Sequence, residues 1–188
     1  MTLHSPPQGN RATDFAIVCR QFAELTAHRL DERASNLLEH RQERRDVVFF
    51  VLADCALQDK PFLERLTRLS AQWLQRCPCE TTRAIAAYTA YLRDDYGRAA
   101  TYLLACIADN PQNLDNWVDL AFALNHMADP LGRHILFNHD EYIIRFMARG
   151  DRVCTLSRLQ TIMQEIEADG AGYATVWRTM VPPFEGRD

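Results

Sequence analysis

An all-α fold is what the sequence predicts. The chain carries 21 Leu and 23 Ala against only 7 Gly and 8 Pro. Ala and Leu are the strongest helix formers, whereas an all-β chain needs Gly and Pro to punctuate many short strands. Apolar residues recur at spacings of three and four, the signature of one buried helix face. The 188 residues, 47% apolar and 24% charged, suffice for a single packed core.

The elements follow in order. Residues 1–12 are polar with a Pro pair and read as a loose arm. From Thr13 the pattern turns helical, with Phe15, Val18, Phe22 and Leu25 on one face. Residues 29–45 are dense in both charges, with a thin stripe of Leu30, Leu37 and Leu38, and read as a solvated helix. Val47 to Leu52 would satisfy a short buried strand. The ADCALQ that follows, and the lack of other strand candidates, favour a buried helix. Pro61 starts the next helix, which runs to Arg76 with Leu63, Leu66, Leu69, Trp73 and Leu74 on one face. Helices are then expected over Glu80–Arg93 and Tyr96–Ala108, the second stopped by Asn110-Pro111.

Asn113 is a good N-cap for a helix running to about Met127, with Asp115 in its first turn. Asp129-Pro130 breaks it, and a short piece spans Leu131 to Phe137. Asn138 with Glu141 reads as a second capping signal, opening a helix over 139–149 that Gly150 ends. Thr155 to Ala168 forms the last helix, ended by Gly170. One domain over 13–179 is therefore expected, with an irregular tail at 180–188.

A repeat is visible within this pattern. One displacement sets Ala87 on Ala121 and Ala86 on Leu120. Tyr96, Ala99, Leu103 and Cys106 follow in the second helix of the first unit, and Pro111 closes it. Trp117, Leu120, Ala121 and Leu124 mark the second unit. On these residues, 80–128 resembles the tetratricopeptide repeat, a helix–turn–helix unit of about 34 residues. An earlier degenerate unit over about 46–78 would end at Pro78. The departures are Arg83 at the position of the early Trp, and Pro130 and Arg133 where the second unit's second helix should begin and carry its small residue. The resemblance implies stacked antiparallel helical hairpins in a right-handed superhelix; the alternative is an irregular α-bundle. It also implies a concave groove lined by the first helices, at Ala84, Tyr88 and Tyr91, then Val118, Phe122, Asn125 and His126. Members of the family that clamp a terminal carboxylate use Lys, Arg and Asn in that groove. Ala, Val and aromatics here point instead to an apolar peptide segment.

Charge and composition exclude several classes. Net charge is −4, so nothing draws the chain to nucleic acid or an anionic membrane. No apolar run approaches the roughly 18 residues of a membrane span. Met1 to Asn10 lacks a basic-then-apolar signal. The six cysteines (Cys19, Cys55, Cys77, Cys79, Cys106 and Cys154) then read as reduced thiols in a cytoplasm. The cations are 20 Arg and one Lys, Lys60. Arg29, Arg33, Arg41, Arg44 and Arg45 could touch phosphate, but Asp31, Glu32, Glu39 and Glu43 interleave with them and make a solvated face.

Chemistry has two candidate clusters. His126, His134 and His139, with Asp140 and Glu141, are residue types that ligate metals or move protons. His134 and His139 flank a break and match no compact ligand spacing, and the two acids fit a helix N-terminus. Cys77-Pro78-Cys79 has no second ligand pair and reads as an inter-helix turn. No phosphate-binding Gly loop or nucleophile elbow is present. The leading expectation is an adaptor that binds a protein or peptide without a cofactor: an assembly factor, chaperone or accessory subunit of an enzyme. The alternatives are a small metal-dependent enzyme built on the three histidines, and a helical oligomerisation or regulatory module whose aromatic surface meets a second copy.

Overall fold

The computed structural model describes residues 60–170, together with Ile17 and Arg20, which are helical. The expected arm, the charged segment 29–45, the run Val47–Leu52 and the tail 180–188 lie outside the described residues. Those residues hold helices and turns and no strand. In chain order the helices are α1 (Lys60–Arg76), α2 (Glu80–Tyr91), α3 (Tyr96–Asp109), α4 (Leu114–His126), α5 (Pro130–Ala148) and α6 (Leu156–Ala168). None is long and apolar enough to cross a membrane. The chain divides into two compact units, one ending at Thr82 and the other beginning at Arg83.

In the first unit, α1 buries Phe62, Leu66, Ser70 and Trp73. These are spaced four, four and three, one stripe of a 3.6-residue period. Leu63, Leu69 and Leu74, expected on the same face, are half-buried. Cys77, Pro78 and Cys79 form the expected turn. Thr82 fastens it: the hydroxyl donates to the Cys77 carbonyl at 2.6 Å and accepts from the Cys79 N–H at 3.1 Å. Four described cysteines are free thiols, and Cys106 and Cys154 are buried as small core residues.

The second unit is a run of antiparallel pairs. Arg83 near the start of α2 pairs with Asp109 at the end of α3, while Tyr91 at the end of α2 meets Tyr96 at the start of α3. Ala87, Ala90, Ala99 and Ala100 form this seam, joined by Leu103 and Ile107. In α4, Asn113 is the N-cap that the sequence predicts, accepting from the Asp115 N–H at 3.1 Å. Trp117 is fully buried, and its indole N–H donates to the Pro111 carbonyl at 2.8 Å.

The turns after α2 and after α4 share one hydrogen-bond pattern. In the first, the N–H groups of Arg93, Asp94 and Asp95 donate to the carbonyls of Ala90, Tyr91 and Ala90, each at 3.0 Å. In the second, those of Met127, Ala128 and Asp129 donate to Leu124, Asn125 and Leu124, again each at 3.0 Å. The bond from Asp95 to Ala90, like that from Asp129 to Leu124, satisfies a carbonyl the helix end would orphan. It requires a left-handed residue just before, and Asp94 (φ 58°) and Ala128 (φ 57°) supply it. Asp95 and Asp129 then cap the following helices.

The helix entries differ. The Ala99 N–H reaches back four residues to Asp95, whereas the Gly132 N–H reaches back only three to Asp129. The tighter entry brings the small residue one position early. Gly132, not Arg133, faces α4: a Cβ there would lie 2.7 Å from the Ala121 carbonyl oxygen and the Asn125 nitrogen. Arg133 is exposed. Pro130 does not obstruct this helix either; it is the first helical residue, where its missing N–H costs nothing.

The break expected at Asn138 is a kink within α5, with φ −134° and ψ 26°. The buried Asn138 amide donates to the His134 carbonyl at 2.8 Å, serving an acceptor where the helical ladder is disturbed. Glu141 pairs forward with Arg145 at 3.2 Å rather than back toward Asn138, so the expected capping box does not form. Beyond the kink, Tyr142 and Phe146 are fully buried, their rings 5.9 and 6.1 Å from that of Trp117. Arg145 and Arg149 bind Asp169 and Glu165, an antiparallel register that ties α5 to α6. Leu159, Ile162 and Ile166 complete the core, and Thr155 caps α6.

Candidate functional site

An open cavity of about 300 Å³ lies between α2, α3 and α4. Ala87, Tyr88 and Tyr91 line it from α2, Ala99 and Leu103 from α3, and Asp119 and Phe122 from α4. The side chains arise from helical spacing: Ala87 and Tyr91 are four apart, as are Ala99 and Leu103, while Asp119 and Phe122 are three apart. The alanine floor is the hairpin seam itself, which leaves the aromatic rings as walls. Phe122 is 47% exposed, a large apolar side chain standing in solvent at the rim.

Three of the seven groove residues expected from sequence, Tyr88, Tyr91 and Phe122, come together here. His126 stands beside the cavity: its Nε2 lies 2.6 Å from the Tyr91 hydroxyl oxygen, and its ring stacks on Tyr96 at 4.5 Å. The other three do not line the cavity. Ala84 is buried and Val118 half-buried. The Asn125 amide oxygen would lie 2.8 Å from a Cβ at Gly132, so this side chain rests against α5.

Sequence reasoning missed Ala87, Ala99, Leu103 and Asp119 as lining residues. It placed the groove on first helices only, and read the two α3 residues as seam. The signal for Asp119 was its position one turn before Phe122 on the same face.

Asp119 changes the electrostatics of what was expected to be an uncharged groove. Burial, and next the Asp119 carboxylate, hold the Tyr88 phenol well above the ordinary tyrosine range. Tyr91 is raised by burial, then by Asp119 and Asp94. Tyr96 is raised foremost by its hydrogen bond to Asp94, at 2.7 Å. These phenols are therefore neutral under ordinary conditions and keep both a donor and acceptor lone pairs.

The three histidines have separate environments. His126 is exposed within the Tyr91–Tyr96 cluster. His134 is buried in the α5 core, its Nδ1 2.9 Å from the Tyr142 hydroxyl. His139 is half-buried, 3.4 Å from the mostly exposed Asp140 carboxylate. Among the described residues no three His, Cys, Asp or Glu side chains are grouped so that they could hold a metal ion. Burial pushes the Cys154 thiol up to about 12, which leaves it protonated and unreactive at neutral pH.

Compared with protein-family models, curated proteins and solved structures, the chain matches none of them.

Proposed function

We propose that this chain is a peptide- or protein-binding adaptor of the helical-repeat type, which holds a partner segment in the groove walled by Tyr88, Tyr91 and Phe122. The observation that carries this reading is the groove itself: an open, aromatic cavity with Phe122 nearly half exposed at its rim. Isolated exposed apolar residues are ordinary on protein surfaces, but a ring of aromatics around a concavity is a place where a partner gains area at little entropic cost.

The repeat assignment draws on the recurrence of one turn, bond for bond, from Ala90–Asp95 to Leu124–Asp129, and on the small residue Gly132 against Ala121. In a tetratricopeptide-like stack, successive first helices line the concave face; here α2 and α4 supply the aromatic walls and Asp119, and α3 adds Ala99 and Leu103. The chain would serve as an assembly factor, chaperone or accessory subunit of an enzyme, in the cytoplasm, and contribute no chemistry of its own.

Affinity capture with the tagged full chain, read by mass spectrometry, tests the assignment against Tyr88→Ala combined with Phe122→Ala. Loss of the captured partner, with helicity by circular dichroism unchanged, is the expected result. A partner retained by the double variant would overturn the groove assignment.

A further inference from the structure

We infer that the groove is regulated by a proton: His126 and Tyr91 share one hydrogen bond whose direction reverses when His126 is protonated, and the reversal changes Tyr91 from an acceptor to a donor toward the groove's occupant. This rests on the adaptor reading above and names how that site is regulated.

The contact itself is the first argument. The His126 Nε2 lies 2.6 Å from the Tyr91 hydroxyl oxygen, so one proton sits between them. Tyr91 keeps its own proton, because burial, then Asp119 and Asp94, hold this phenol above the ordinary tyrosine range. Beside a neutral imidazole the phenol donates and the ring nitrogen accepts, since the phenol is the stronger acid and the imidazole the stronger base. The tyrosine proton is then committed to His126, and only lone pairs remain for a third group. In an imidazolium both ring nitrogens are donors. Nε2–H then donates to the Tyr91 oxygen, and the phenol proton turns to another acceptor. Histidine is the side chain suited to such a change, because its charge is the one that switches in the physiological pH range.

The second argument is that the imidazole has reason to stay in place in both states. It stacks on Tyr96, with centroids 4.5 Å and planes 12° apart, and meets Tyr91 edge-on at 5.2 Å. The titratable groups that reach it come from every neighbouring element. They are Tyr91 on α2, Tyr96 on α3, and Asp94 in the turn, which accepts from the Tyr96 hydroxyl at 2.7 Å. Asp119 on its own helix acts through Tyr91. None of these is a cation. An imidazolium therefore has an aromatic face and two carboxylates around it, and protonation redirects the bond rather than expelling the ring.

The third argument is position. Tyr91 lines the cavity, and its phenol is near enough to Tyr88 and Asp119, two further lining residues, for their charges to act on one another. The reversal thus takes place at the polar edge of the groove. His126 is exposed beside it and exchanges protons with solvent.

Two neutral probes small enough for a cavity of about 300 Å³ provide the test: indole, which offers one N–H donor, and N,N-dimethylbenzamide, which offers only a carbonyl acceptor. Their affinities for the full chain are read by NMR titration at about pH 7.5 and about pH 5.5, on either side of histidine protonation. The ratio of indole to amide affinity is expected to fall about tenfold at the lower pH, as one hydrogen bond is lost and another made. His126→Gln still bonds the Tyr91 hydroxyl but does not titrate, and should hold the ratio constant. Tyr91→Phe keeps the ring wall without the hydroxyl, and should do the same. Nitrogen-15 spectra of the native chain should show Nε2 unprotonated at the higher pH, with the Tyr91 Cζ shift following His126 as it titrates. A ratio indifferent to pH, a pH response retained by either variant, or Nε2 protonated at the higher pH would overturn the regulation and leave the groove standing. No binding of either probe at either pH, or binding indifferent to Phe122→Ala, would overturn the groove and this inference with it.

Discussion

The hairpin α2–α3 and the hairpin that α4 makes with the first half of α5 are built on one turn, yet they hold themselves together by different means. In the alignment that sets Ala87 on Ala121, Arg83 falls on Trp117. Arg83 reaches across the surface to Asp109, and a partly exposed ion pair of this kind contributes about 0–1 kcal/mol. Trp117 lies fully buried against Tyr142 and Phe146 and is fixed by the Pro111 carbonyl. The first hairpin closes on alanines, and its aromatic residues are left to wall a cavity. The second closes backbone to backbone at Gly132 and puts aromatic mass inside. The difference separates scaffold from site: the turn sets where helices go, and side chains on the remaining faces decide whether a face becomes core or groove.

Trp117→Ala should sharpen this contrast most. Removing a fully buried indole is expected to cost about 3–5 kcal/mol, whereas Tyr88→Ala, at the groove, should cost well under half of that. Urea midpoints at constant slope would measure both, and equal losses would break the distinction between core and groove. Gly132→Ala comes next. The added methyl meets the backbone of α4 at Ala121 and Asn125, and the overpacking is expected to cost about 1–3 kcal/mol, more than the helix propensity gained. A neutral result would mean that α4 and α5 do not meet backbone to backbone at Gly132. The smallest effect is a gain. Ala128 holds a left-handed conformation that costs an ordinary residue about 1 kcal/mol, so Ala128→Gly should raise stability by up to about that much. Asp94→Gly should gain less, because Asp adopts that conformation more readily. Thermal melts of the two variants would compare the turns directly.

Much of this contrast was legible in the chain before its structure. The helices end near their expected residues because the stop signals are local: Asn110-Pro111, the Asn113 cap and Gly170 act through backbone chemistry that any neighbouring fold would respect. Ala87 and Ala121, aligned in the sequence, are both buried. Gly132 was not legible. The sequence sets Arg133 opposite Ala99, and only the tighter entry after Asp129 moves the small residue forward by one. Asp129-Pro130 reads in the sequence as a break; Pro130 is equally a start, and the turn decides between the two. Three of the seven lining residues, the aromatics Tyr88, Tyr91 and Phe122, were visible in the sequence. Asp119 was not, since a carboxylate on a helix reads as solvent-facing until the packing of three helices shows what stands beside it.

The order in which these helices pack also bears on how the unit comes to exist. The main contacts are α3 on α4, α4 on α5 and α5 on α6, each helix on its successor in the chain. Little loop must be closed before a contact rewards it, so the entropy of bringing distant residues together never builds into a large barrier. Contacts of such short range let these helices assemble one upon the next, on the microsecond-to-millisecond scale typical of locally wired helical proteins.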